Sequence, residues 1–387
     1  MQGTPANVTL SVSSSTGAAA PATTLAYLPT TLSVRADQLT FSGRTFNGVV
    51  LGGSRVGPLW RANVDALELS GYGEGRQPGA SGAGSVYARL ARLQLPPSAA
   101  TEVERLLQQP RSVPALDIAV DDLTLGERHL GRVEVQAVNR GGAGHASVWQ
   151  LTRLQATLPE ARLSATGNWA ADPEASGPNP PHKAALDFTL DVSDADALLT
   201  RFGQPGTVRG GKGSIVGQFA WLGSPLALAY PSLSGQLKAD FERGQFLKAE
   251  PGAAKLLGVL SLQALPRRLA LDFRDVFSQG FAFDFVRGDA RIERGVVFTN
   301  NLQMKGVNAA VLMEGSANLA RETQDLKVVV VPDLNAGTAS LIATVINPAI
   351  GLGTFLAQFL LRQPLQEAAT QQFQITGSWA DPQVEKK

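Results

Sequence analysis

The chain has 387 residues, 17% of them charged, and a formal net charge of +1 at pH 7. Such balanced charge gives no field that would attract nucleic acid. The absence of cysteine excludes thiol catalysis, disulfides and thiolate metal sites, and three histidines are a small stock for metal or acid–base chemistry. The length allows one large β structure or two to three domains.

Most of the chain alternates apolar and polar residues between turns rich in glycine and proline. Residues 31–72 show this pattern, and residues 114–138 place Leu116, Ile118 and Val120 on one face of a strand. The segments LSATGNWAADP (163–173) and QITGSWADP (374–382) share a Gly-x-Trp signature. Repetition of one unit indicates an extended array. We therefore expect a mainly β chain with a long antiparallel sheet.

Short helices interrupt this pattern. Helical spacing and capping residues predict helices near 101–109 and 194–203 in a β-groove segment covering residues 1–232. A further helix near 251–265, with Leu256 and Leu260 in its apolar stripe, falls in a second region covering residues 233–387.

Residues 334–361 contain no charged side chain. Asn347 and Pro348 interrupt this stretch in the way that a helix N-cap and first turn do, so we expect a hairpin of two helices near 335–361 rather than one membrane span. Two interpretations stay open, because the hairpin can fill the end of a β structure as core or meet lipid at a membrane surface. The apolar faces comprise Leu341, Ile342, Val345, Ile346, Leu352, Phe355, Leu356 and Phe359.

The strands of the second region have strongly one-sided faces. Phe281, Phe283 and Phe285 are expected to share a face, as are Val311 and Met313. A one-sided antiparallel sheet must bury its apolar face in a sandwich or barrel, or curl into a trough whose lining stays available to a ligand. We expect a curled trough whose lining suits acyl chains. The candidate lipid-binding residues are Phe281, Phe283, Phe285, Val311, Met313, Leu256 and Leu260.

Two local motifs suggest other chemistry and carry little weight. The glycines around Lys212 do not have phosphate-loop spacing and lie in a strand context, which favours a hairpin turn. Asp121 and Asp122 form the one adjacent acidic pair of the strand region, and a turn before Leu123 accounts for them. We predict that the protein is not an enzyme and has no cofactor or catalytic metal. We expect that the N-terminus is not a signal peptide and that the chain is a fragment of a longer protein.

The chain resembles the AsmA-like superfamily, and within it the C-terminal region of YhdP-type bridge-like lipid transfer proteins. The resemblance is carried by PALDIAVDDLTLGERHLGRVEV, LPEARLSATGNW, LPRRLALDFRDVFSQGFAFD, RGDARIERG, NLQMKGVNAAVLMEGSANL, INPAIGLGTFLAQFLL and GSWADP.

This resemblance implies a periplasmic β-trough, anchored to the inner membrane by a segment absent from this chain. It also implies phospholipid movement between the inner and outer membranes of a Gram-negative envelope. Its partners would be phospholipids, the inner leaflet of the outer membrane and envelope proteins of unknown identity. The alternative is a β-sandwich scaffold for envelope assembly that carries no lipid.

Overall fold

The computed structural model describes residues 7–10, 30–41, 44–79, 82–96, 113–140, 147–175, 180–247, 281–307, 309–332, 351–354 and 370–387. This part is mainly β, with nineteen strands. Its helical residues are α1 (Ala195–Arg201), a 3-10 turn (Tyr230–Ser232) and residues 351–354. The helices predicted near 101–109 and 251–265 lie outside the described residues, as does the hairpin predicted near 335–361 apart from residues 351–354.

The chain divides into two units by its internal contacts. The first comprises residues 1–158, 166–182 and 224–226, and the second comprises residues 159–165, 183–223 and 227–387. The boundary predicted between residues 232 and 233 falls inside the second unit and stays a prediction.

The first unit is built on a meander in which each strand pairs with the next. The pairs β1–β2 and β6–β7 are parallel and the others are antiparallel. No pairing among its described residues joins β2 to β9, so this sheet is open. Its strands are β1 (Asn7–Leu10), β2 (Thr31–Phe41), β3 (Arg44–Val56), β4 (Leu59–Asp65), β5 (Leu69–Arg76), β6 (Ser85–Leu95), β7 (Ala115–Leu125), β8 (Arg128–Arg140) and β9 (Val148–Thr157).

The second unit continues the same plan with antiparallel pairs only. Its described residues contain no pairing between β11 and β19. The strands are β11 (His182–Val192), β12 (Val208–Leu222), β13 (Ser234–Phe246), β14 (Phe281–Glu293), β15 (Val296–Gly306), β16 (Ala309–Asn318), β17 (Thr323–Pro332), β18 (Gln371–Gly377) and β19 (Pro382–Lys386), while β10 (Ala161–Ala171) contributes residues to both units.

Helix α1 lies where a short capped helix was predicted. The Asp194 side chain accepts a hydrogen bond of 3.1 Å from the backbone N–H of Ala197, which satisfies one free donor of the first turn. At its other end, the guanidinium of Arg201 binds the buried carboxylate of Glu160 through two nitrogens. These hydrogen bonds hold the pKa of Glu160 below its ordinary value, although burial opposes them. The helix is thus fixed at both ends.

A β-bulge in β14 changes one expectation from the sequence. The register between β14 and β15 shifts between Phe283 and Phe285. As a result Phe281 and Phe283 join the main hydrophobic cluster together with Val286, whereas Phe285 lies on the opposite face under the guanidinium of Arg287, 3.6 Å from the ring centroid. The expectation that all three phenylalanines share one face is therefore wrong, because one extra residue reverses the alternation.

A large hydrophobic cluster lies in the second unit. It includes side chains of β11–β18 and of α1, and Leu198 and Leu199 pack against it. The first unit has a small cluster of Leu39, Val49 and Ala66. The two units therefore share a strand plan and differ in how far their apolar faces are filled.

Candidate lipid-binding face

One face of the first unit carries two apolar rows that run from β2 to β9. Cross-strand pairing aligns its residues in rows that run perpendicular to the strands. The first row is Val34, Leu51, Val64, Gly71, Leu90, Val120, Val133 and Ala156. The second row is Leu32, Gly53, Ala62, Gly73, Ala88, Ile118, Val135 and Leu154. We call these two rows the apolar band.

The apolar band contains no polar side chain in its sixteen positions. At about 4.8 Å between neighbouring strands, eight strands give it a length of roughly 34 Å. All its members except Ala88 and Val120 remain partly exposed. The band is therefore a continuous apolar surface that protein side chains cover incompletely.

The opposite face of the same strands is polar. The row between the two apolar rows consists of Ser33, Gly52, Asn63, Tyr72, Arg89, Ala119, Glu134 and Gln155. Charges on this face pair across strands, as in Arg89 with Asp117 at 2.8 Å and Arg153 with Glu134 at 3.1 Å. Exposed ion pairs add little stability, but they identify this face as the one in contact with water.

Glycines on β5 leave part of the apolar band free of side chains. A Cβ atom on Gly75, which is in the row next to the band, would meet no atom within 4 Å, and one on Gly73 would meet only the carbonyl of Tyr87 at 3.7 Å. Both residues keep ordinary negative φ values or extended backbone, so the turn geometry that usually calls for glycine does not apply here. Above Gly73 and Gly75, the described part of the chain thus leaves open space.

The equivalent face of the second unit is filled by aromatic rings. A Cβ on Gly217 would lie 2.7 Å from the ring of Phe188, and one on Gly244 would lie 2.5 Å from the ring of Phe283. Further along this face, Met304, Val311 and Val330 align in one cross-strand row and are buried. The described side chains of this face thus pack against one another as a core.

The structure places four predicted lipid-binding residues in that core. Phe281, Phe283, Val311 and Met313 are all buried members of the main cluster. Phe285 is buried on the opposite face. Leu256 and Leu260 lie outside the described residues, so the lipid-binding role of the whole set stays a prediction.

Of the predicted membrane-contact residues, Leu352 is described. Its side chain is fully buried, and Gly351 beside it approaches the side chain of Asn300 on β15. The other seven lie outside the described residues: Leu341, Ile342, Val345, Ile346, Phe355, Leu356 and Phe359. Within the part of the chain that the structure describes, we find no helix long and apolar enough to span a membrane.

A groove of about 1190 Å³, lined by both polar and apolar side chains, lies on the second unit. Charged and amide side chains from β12 to β18 line it, including Lys238, Asp289 and Gln374, and Glu314 pairs with Lys327 at 3.2 Å. Such a lining does not suit hydrocarbon, because acyl chains cannot satisfy the hydrogen-bonding groups. The apolar band is the better lipid surface.

The apolar band was not among the lipid-binding residues predicted from the sequence, although its pattern of alternation is present there. The alternation in residues 31–72 and 114–138 placed Leu116, Ile118 and Val120 on one face, and β5 reads Gly-x-Gly-x-Gly. Alignment of the rows depends on the register of every strand pair, because a shift of one residue would turn a polar side chain onto the apolar face. The sequence alone does not give these registers.

Comparison with known proteins identifies the family. The model of the family described as YhdP protein matches residues 7–384. The chain belongs to the YhdP family. A curated relative, the protein of Escherichia coli strain K12 called "Intermembrane phospholipid transporter YhdP", is 30% identical over 224 residues. That alignment covers 58% of this chain and 17% of the relative, so the chain spans a minor part of the family member it matches. No solved structure matches the chain.

Proposed function

We propose that this chain is part of an intermembrane phospholipid carrier and that acyl chains lie on the apolar band. The observation that carries the proposal is the alignment of two rows without a polar side chain across eight strands, backed by a charged face. Family membership and the name of the E. coli relative support lipid as the cargo.

The chemistry of the band matches hydrocarbon. An acyl chain needs no hydrogen-bond partner, and each methylene that leaves water contributes about 0.8 kcal/mol. An acyl chain of ordinary length laid along these partly exposed valine, leucine and isoleucine side chains therefore gains enough to hold a lipid. Neighbouring strands offer the same surface for the next position of the acyl chain. A uniform band favours movement along it over tight binding at one point.

The natural twist of an open sheet supports a trough. Strands twist right-handedly, and bulges and glycines add curvature. Register shifts of this kind occur in the first unit at Ser70/Gly71 and between Val120 and Leu123. We infer that the sheet curls with the apolar band inside and the ion-paired face outside. Lipid headgroups would then stay at the open side of the trough.

In this proposal the protein works in the periplasm of a Gram-negative envelope, within a longer protein anchored in the inner membrane, and lipid passes between the inner and outer membranes. The helical hairpin predicted for the uncharged stretch 334–361 would either fill the groove end or contact the inner leaflet of the outer membrane. Burial of Leu352 favours the first role for that residue. Leu352→Glu and Phe355→Glu separate the roles: loss of folding means core, and loss of vesicle binding with intact folding means membrane contact.

The alternative is a scaffold that carries no lipid. The filled core of the second unit favours it, since a packed face cannot hold an acyl chain. The half-exposed band of the first unit favours transport. No catalytic step enters either version.

Adjacent residues on opposite faces give a sharp test. We would place a photo-crosslinking amino acid at Val135, which is in the apolar band, or at Gln136, which is exposed beside it. The proposal expects phospholipid adducts from position 135 and few from position 136. In parallel, Val135→Asp should reduce the phospholipid that co-purifies, measured by mass spectrometry, while Gln136→Asp should not. Equal labelling at both positions, or no bound lipid in the unmodified protein, would contradict lipid carriage.

A further inference from the structure

The groove of the second unit lies on the face opposite its core. A Cβ atom on Gly217 would meet the ring of Phe188 on the core face, so the neighbouring side chains of Val216 and Gln218 lie on the other side of β12. Both residues line the groove, which crosses seven strands from β12 to β18. At about 4.8 Å between neighbouring strands, this span corresponds to roughly 29 Å. We call this feature the cross-strand groove.

The charges along the cross-strand groove cancel. Its described lining contains equal numbers of cationic and anionic side chains, which are Lys238, Arg291, Lys327, Asp289, Glu314 and Asp325. Glu314 and Lys327 neutralise each other directly, at 3.2 Å. A lining without net charge gives no electrostatic attraction for phosphate groups, nucleic acid or a polycation. The groove therefore favours a ligand that is itself neutral.

One row of the groove combines amide groups with an exposed aromatic ring. Strand registers align, on four successive strands, Gln218, Gln236, Arg291 and Phe298. Phe298 is 36% exposed, and the guanidinium of Arg291 lies 5.8 Å from its ring centroid. Gln218 and Gln236 are exposed, and their side chains make no hydrogen bond with any other residue that the structure describes. The row thus offers an apolar ring beside available donors and acceptors.

The neighbouring row holds an acceptor in a fixed position beside a cationic donor. The carboxylate of Asp289 accepts a hydrogen bond of 2.7 Å from the side-chain amide of Asn301, and the amide oxygen of Asn301 accepts one of 2.9 Å from the backbone N–H of Asp289. Lys238 lies next to Asp289 in the register, is exposed and has no ion-pair partner in the described part of the chain. Donors and acceptors therefore alternate over short distances, which suits a ligand whose groups do both.

We propose that the cross-strand groove binds a neutral oligosaccharide chain. Hydroxyl groups donate and accept hydrogen bonds, so they suit a lining of amide, carboxylate and cationic side chains. The C–H face of a sugar ring needs no hydrogen bond and suits the exposed ring of Phe298. Sheet faces bind oligosaccharides in other folds. The inference does not depend on lipid carriage, because the apolar band belongs to the first unit.

Two other ligand classes fit the cross-strand groove less well. Extended peptides commonly bind a sheet by adding a strand at a free edge. Every strand from β12 to β18 already pairs on both sides, so the groove offers side chains and no main-chain edge. Hydrocarbon would take Lys238 and the two glutamines out of water without giving them a hydrogen-bond partner. A sugar chain uses both the polar groups and the exposed ring.

The test titrates the full chain with neutral hexasaccharides of glucose, mannose, galactose and N-acetylglucosamine in a calorimeter, and hydrogen-exchange mass spectrometry then locates the bound sugar. We expect saturable binding of at least one hexasaccharide, with protection of β12–β15. Gln218→Ala/Gln236→Ala should weaken that binding about tenfold, as for the loss of two ordinary hydrogen bonds. The control is Gln136→Ala, which removes an exposed glutamine from the polar face of the first unit and should leave binding unchanged.

Absence of binding by all four hexasaccharides would overturn the proposal. Equal affinity in Gln218→Ala/Gln236→Ala and the unmodified protein would place the sugar outside the groove, with the same consequence. Tighter binding of a heparin hexasaccharide than of every neutral one would mean that charge drives binding and would overturn the assignment of a neutral ligand. Protection of the groove by random-sequence peptides that displace the sugar would assign it to a protein partner. None of these results bears on phospholipid labelling at Val135, so lipid carriage stands or falls separately.

Discussion

The two units share one strand plan and put their apolar faces to different uses. In the second unit phenylalanine rings lie over glycines and buried aliphatic side chains complete a core, as with Phe283 over Gly244. In the first unit no described ring lies within 4 Å of a Cβ built on Gly73 or Gly75, and most of the apolar band stays partly exposed. Alternation therefore builds the sheet, whereas large side chains facing glycines decide whether its face is closed or open.

The largest expected effect comes from removing a ring from the closed face. Phe283→Ala should lower the free energy of unfolding of the second unit by about 3–5 kcal/mol, because it leaves a cavity over Gly244 and beside Phe246. Leu154→Ala in the apolar band should cost about 1 kcal/mol, because that side chain is partly in water already. Hydrogen-exchange mass spectrometry measures each unit separately. Equal losses would mean that both faces are packed cores.

Loss of the ion pair at α1 should have the next largest effect. Glu160→Ala leaves the guanidinium of Arg201 without its carboxylate beside a buried site, and removal of one member of a buried pair typically costs about 3 kcal/mol or more. We expect faster amide exchange in α1 and in the adjoining end of β12. Asp196→Ala, on the same helix and without the ion pair, is the control. Similar exchange in both variants would show that the pair does not hold the helix.

The same ion pair predicts a pH dependence. The pKa of Glu160 in the folded chain lies below the ordinary 4.5. Its contribution to stability is therefore fully present above about pH 4.5 and is lost as the pH falls through the folded-state pKa. The difference in unfolding midpoint between the unmodified protein and Glu160→Gln should be constant near neutral pH and shrink in acid. A difference that grows in acid would reverse the assigned sign.

The sequence predicts some levels of this structure better than others. The mainly β architecture and α1 followed from period-two alternation and from Asp194 as a cap, because these signals are local. The shared face of Phe281, Phe283 and Phe285 did not follow, because a bulge depends on the register with β15. The sequence-based prediction placed the lipid-binding face at phenylalanines, but rings of that size suit a packed core as well as a groove. Partly exposed side chains such as Ile118 could be recognised as one surface only after eight strands had been aligned.

Glycine substitutions sharpen the comparison at a smaller scale. Gly244→Ala places a methyl group 2.5 Å from the ring of Phe283, so either the ring or the backbone must move. Overpacking of this kind costs about 1–3 kcal/mol. Urea titration of the second unit should show a lower midpoint. If Phe283→Leu restores the urea midpoint of Gly244→Ala, contact with the ring causes the loss of stability. If it does not, strain in β13 causes that loss.

The smallest expected effect is the most direct evidence for an open face. Gly75→Ala adds a methyl group where no described residue has an atom within 4 Å, on backbone that alanine adopts without strain. Replacement of glycine in such a position restricts the unfolded chain and should raise stability by about 0.5 kcal/mol. A loss like that of Gly244→Ala would show that protein covers β5 after all. An unchanged or higher midpoint, with Gly75→Phe also folding but retaining less phospholipid, would show that the space above β5 is open and that lipid uses it.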